Sequence, residues 1–65
     1  MKLKVSMIIL SHLSDVQENG NSDYTNLRIN FVKYLVLNYK NTDTEIDPDV
    51  VYKEFITKHP SLANA

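Results

Sequence analysis

A chain of 65 residues holds one domain, and a domain of this size buries only about 60% of the surface its unfolded chain exposes, so its stability is thin. It contains no cysteine, which excludes disulfides and thiolate metal sites and leaves association with other chains as the expected extra support. Seven basic and eight acidic residues give a formal charge of -1, so no global field draws the chain to nucleic acid or to an anionic membrane.

The opening residues Met1 to Leu10 begin with the basic character of a signal peptide, but the unbroken apolar run covers only Met7 to Leu10. Ser11, His12, Ser14 and Asp15 follow at once, and no stretch approaches the ~20 apolar residues of a membrane-spanning helix. We expect a soluble, cytoplasmic protein with no membrane association. Residues 3 to 18 place Val5, Ile8, Ile9, Leu13 and Val16 on one face of a helix, with Lys4, Ser11, Asp15 and Glu18 opposite. The first few residues also fit a strand, because Leu3, Val5 and Met7 alternate with Lys2, Lys4 and Ser6. No second convincing strand is visible, so the strand reading requires two chains pairing their N-termini. The helix reading is preferred.

Glu18 to Asp23 breaks the pattern. Gly20 is placed to end the first helix, and Ser22 or Asp23 to cap the next. From about Asp23 to Lys40, Tyr24, Leu27, Phe31, Tyr34 and Leu35 form one apolar stripe, and Ile29, Val32, Val36 and Tyr39 form a second beside it. Only Asn30, Lys33 and Lys40 make a wet strip, and Leu37 interrupts it. A helix apolar over most of its circumference needs cover on several sides, more than two short partner helices supply. We therefore expect a second protomer or a protein partner to cover it, with Tyr24, Leu27, Phe31, Tyr34, Leu35 and Tyr39 as the contact residues, because aromatic anchors carry most interface energy.

A short N-terminal strand, a helix from about Ile9 to Glu18, the Gly20-Asn21-Ser22 turn and a long second helix together resemble the ribbon-helix-helix repressors. The resemblance covers about 40 residues and rests on pattern, without a diagnostic motif. It implies a dimer whose paired strands enter the major groove of DNA, with Lys2, Lys4 and Ser6 as the outward side chains.

Asn41 to Ile46 is a second polar break, followed by strong start signals for a helix over 48 to 59: Asp47 as N-cap, Pro48 at the first helical position and Asp49 in the first turn. Val51, Tyr52, Phe55 and Ile56 share its apolar face, and Pro60 follows its end. Asp43, Glu45, Asp47 and Glu54 copy the first, third, fifth and twelfth ligand places of a calcium loop. Pro48 stands where that loop turns on a flexible glycine, so helix capping explains these carboxylates better and no metal or other cofactor is expected.

His12 and Asp15, three residues apart, fit a half-buried histidine with a local partner better than a base or ligand pair, and the charge of His59 suits the end of its helix. Arg28, Lys33 and Lys40, with Lys2, Lys4, Lys53 and Lys58, are spread among acids as a solvated surface. No cysteine nucleophile, phosphate-binding glycine loop or nucleophile elbow is present. The sequence reads as an all-α domain of three helices near 3 to 18, 23 to 40 and 48 to 59. Its expected role is non-catalytic: a small adaptor, regulator or inhibitor, of the accessory kind that phages and mobile elements encode, working by protein contact or self-association. Two other readings are a DNA-binding regulator and a small-ligand sponge at an oligomer interface lined by tyrosines, Arg28 and Lys33.

Overall fold

The computed structural model describes residues 1 to 18 and 24 to 63. The chain is mostly helical, with elements in the order β1 (Leu3–Lys4), α1 (Val5–Glu18), α2 (Thr25–Asn38), β2 (Glu45–Ile46), α3 (Pro48–Lys58) and α4 (Pro60–Ala63). The expected roles of Gly20, Ser22 and Asp23 fall outside the described residues.

Both readings of the N-terminal segment are partly right. Leu3 and Lys4 form a strand and the helix starts at Val5. The strand's partner, however, lies within the chain: β1 pairs antiparallel with β2, Leu3 opposite Ile46 and Lys4 opposite Glu45. This corrects the inference that a strand here needs a second chain. A two-residue strand inside a polar loop leaves no periodic trace, which is why the sequence hid it.

The same loop starts α1. A helix leaves its first N–H groups without partners inside the helix, and a capping side chain normally takes one of them. Here the N–H of Val5 donates to the carbonyl of Thr44 at 2.9 Å and that of Ser6 to the carbonyl of Thr42 at 3.0 Å. The loop is shaped for this by Asn41, whose side-chain oxygen accepts from the N–H of Asp43 and whose carbonyl accepts from that of Thr44.

α2 ends at Asn38, whose side chain donates to the carbonyl of Tyr34 at 2.8 Å, and Tyr39 leaves in an extended conformation. α3 begins as its sequence signals: the Asp47 carboxylate accepts from the N–H of Asp49 at 3.0 Å, a cap contributing about 1 kcal/mol. Burial pushes this carboxyl up, but the N–H of Asp49 and the Met1 ammonium 3.6 Å away outweigh it and hold Asp47 below the usual carboxylate range. Pro60 stops α3 and, with its fixed φ, opens the single turn of α4, an element the sequence reading lacked.

The core is one cluster drawn from every long element: Val5 and Ile8 of α1, Phe31, Tyr34 and Leu35 of α2, Ile46 of β2, and Val51 and Phe55 of α3. Phe31 is its hub. Its ring lies 5.2 Å from His12 and 5.3 Å from Tyr52, both edge-on, and 5.4 Å from Phe55. Such aromatic pairs add about 0.5–1.5 kcal/mol each beyond their buried area.

Candidate functional site

A cleft of about 280 Å³ lies between three helices, lined by His12 from α1, Tyr24, Leu27, Arg28 and Phe31 from the start of α2, and Pro48, Asp49 and Tyr52 from the start of α3. Helical spacing aims these side chains at a common point. His12 and Asp15 sit three apart on α1, Tyr24, Leu27, Arg28 and Phe31 follow at three- and four-residue steps on α2, and Asp49 and Tyr52 sit three apart on α3. Phe31, 1% exposed, forms the floor. Tyr24, 64% exposed, stands at the rim.

The polar wall is built around Arg28. Its Nη1 donates to Asp15 Oδ2 at 2.9 Å and to His12 Nδ1 at 3.1 Å, closing a three-residue cluster across α1 and α2. A guanidinium only donates, so Nδ1 of His12 must carry a lone pair and the neutral ring must hold its proton on Nε2. Burial first, and then the Arg28 charge, lower the His12 pKa against the opposing pull of Asp15. The Arg28–Asp15 pair is partly exposed, so it contributes 1 kcal/mol or less and acts mainly to fix the guanidinium in place.

The His12 environment sets a pH dependence. A histidine whose folded pKa lies below its unfolded value binds fewer protons in the native state, so stability rises with pH through that window. The stabilisation is complete above the ordinary histidine range and is lost as pH falls through the lowered folded value. Melting temperature measured from pH 8 down to pH 5 should therefore fall on the acid side, and His12→Gln, which keeps an acceptor for Arg28, should flatten the fall. A wild-type profile unchanged by His12→Gln would refute this role.

Of the six residues expected at an interface, Phe31, Tyr34 and Leu35 are buried in the chain's own core, and Leu27 and Tyr39 pack against it half-buried. Only Tyr24 stays exposed. The physical reason is that α1 and α3 between them cover this stripe, more than their length suggested. Burial, together with Glu54, also raises the Tyr39 phenol above its usual pKa. Other apolar side chains left in water include Val36 and Leu37 of α2, at 57% and 81%, Met7, Leu10 and Leu13 of α1, Val50 and Ile56 of α3 and Leu62 of α4.

The three positions named for a reading ribbon fall in different elements. Ser6 belongs to α1, Lys4 Nζ lies 3.9 Å from Asp43 Oδ1, and Lys2 is exposed ahead of a strand only two residues long. The carboxylates with calcium-loop spacing also diverge. Asp43 faces Lys4, Glu45 lies on β2, Asp47 caps α3 and Glu54 sits exposed on α3, and among the described residues no group of three or more His, Asp or Glu is placed to hold a metal ion. Among the described residues no helix is long and apolar enough to cross a membrane.

No protein family, curated protein or solved structure matches this chain. The cleft is thus known from its geometry alone. The sequence reading placed His12 beside Asp15 but missed that Arg28 joins them. The signal was present: Arg28 lies four residues after Tyr24 and three before Phe31, a charge set inside an apolar stripe.

Proposed function

We propose that this chain is a small non-catalytic binding protein, an adaptor, regulator or inhibitor, that acts through protein–protein contact and in the first instance through self-association. The observation that carries the reading is the apolar surface left on the outer sides of the first two helices, where Leu10 is 65% exposed, Val36 57% and Leu37 81%, with Met7 and Leu13 also in water. Large apolar side chains left in water along helix faces of a small protein suit a contact surface. Met7, Leu10 and Leu13 follow at three-residue steps along the outward side of α1, and Ile29 and Val36, seven apart, share a face of α2. An interface of standard size takes about 800 Å² from each partner, roughly one sixth of the 4710 Å² this chain exposes.

The chemistry of the cleft supports the non-catalytic half of the reading. In a hydrolytic triad a histidine donates through Nδ1 to a carboxylate and accepts a proton at Nε2. His12 has the reverse polarity, with Nδ1 accepting from Arg28. A cytoplasmic place of action is part of the same proposal.

Light scattering across a concentration series tests it. The mass should rise above that of the 7.5 kDa monomer, and Leu10→Lys with Val36→Lys should weaken association at least about ten-fold while leaving the helical circular dichroism unchanged, since both side chains already face water. A wild-type chain that stays monomeric at about 1 mM, with no protein retained on it from lysate, sinks the proposal.

A further inference from the structure

We propose that the cleft between α1, α2 and α3 is a binding site for a single-ring aromatic carboxylate, with Arg28 taking the carboxylate and Tyr24, Phe31 and Tyr52 enclosing the ring. This goes beyond the contact surface above, which lies on other faces of the helices. It also places a ligand site inside one chain, where the sequence reading looked for one between chains.

Size comes first. Pockets for drug-sized ligands run about 300–1,000 Å³ and are mostly apolar with a few fixed polar groups. At about 280 Å³ the cleft lies just below that range, which suits one ring with one substituent and excludes a nucleotide or a two-ring cofactor. The walls suit a ring: Phe31 and Tyr52 meet edge-on at 5.3 Å, and His12 meets Phe31 edge-on at 5.2 Å. A flat guest can meet Tyr24 and Tyr52 edge-on, as Phe31 and Tyr52 meet each other.

Arg28 supplies the orientation. The hydrogen bonds to Asp15 and His12 both leave from Nη1, and the edge made by Nη2 and Nε donates to no other described side chain. That edge carries two parallel N–H donors, the geometry that grips a carboxylate bidentately. Asp15 and His12 hold the guanidinium in advance, which spares the ligand the entropy of ordering it. The Nε2–H of His12 is a further donor on the same wall.

Among the described lining residues, Asp49 is the acidic group that opposes an anion. It is exposed at the mouth, in the first turn of α3 where the helix dipole favours its charge. This opposition makes the proposal sharp, because removing the Asp49 charge should tighten an anionic guest and loosen a cationic one.

The experiment is a two-dimensional NMR titration with 4-hydroxybenzoate, using benzylamine as the cationic probe of similar size. A ligand of about ten heavy atoms at ordinary efficiency should bind with a Kd on the order of 1 mM or tighter, with shifts confined to His12, Tyr24, Arg28 and Tyr52. Arg28→Lys, which keeps the charge beside Asp15 but loses the fork, should weaken it about ten-fold. Asp49→Asn should tighten it about two- to five-fold, and Tyr24→Ala, at an exposed position, should weaken it without touching the core. Absence of shifts at about 10 mM probe, benzylamine binding as tightly as 4-hydroxybenzoate, or weaker binding in Asp49→Asn would each overturn the proposal. Should Arg28→Lys not fold, the Asp49 and Tyr24 variants decide it.

Discussion

Phe31→Ala should leave the chain largely unfolded at 25 °C, with no folded baseline in a urea titration followed by circular dichroism. Truncating a buried phenylalanine to alanine costs about 3–5 kcal/mol, the transfer term plus the cavity. A domain of this length, without disulfide support, has a net stability of only about 3–5 kcal/mol. Phe31 is the position where the loss is least absorbed by relaxation, because rings from all three long helices converge on it: His12 from α1, Tyr34 from α2, and Tyr52 and Phe55 from α3. Leu35, as deeply buried, should cost less when truncated, since a leucine removes fewer contacts. A Phe31→Ala variant losing under about 1.5 kcal/mol would show that the hub is elsewhere.

A second substitution should act locally. Ile46→Asp puts a carboxylate opposite Leu3 in the core, a burial costing about 3 kcal/mol or more, and the cheapest escape is to release β2 from β1. Released β2 takes the Thr42 and Thr44 carbonyls with it, and those carbonyls hold the first two N–H groups of α1. Hydrogen exchange at Val5 and Ser6 should then quicken about a hundred-fold, the ratio for about 3 kcal/mol, while amides near Leu35 and Phe55 keep their protection. Unchanged protection at Val5 and Ser6 would mean that the loop does not cap the helix in solution.

These two sites also mark where the sequence could be read and where it could not. α3 was legible because every signal for it is local: Asp47, Pro48 and Asp49 mark its start and Pro60 its end within fourteen residues. The aromatic stripe of α2 was legible as apolar, but its partner was not, because periodicity states that a face is buried and is silent on what buries it. Phe31, Tyr34 and Leu35 therefore looked like contact residues and are core. The start of α1 was illegible for a physical reason. Its cap is made of main-chain carbonyls supplied from residues 42 and 44, and a carbonyl has no residue type to recognise. The cleft fell between these cases: each helix gave its own residues, but only the packing of three helices brings Arg28 to His12 and Asp49 near Tyr24.

The borrowed cap has a consequence for the order in which the chain is made. Residues 1 to 18 leave the ribosome ahead of α2, yet the groups that finish their helix are some forty residues behind. Closing that loop costs entropy that nothing in the N-terminal segment repays alone. α1 is thus completed only after α2 has been made, and a nascent chain halted before Ile46 should carry α1 as fluctuating structure with Val5 and Ile8 still in water.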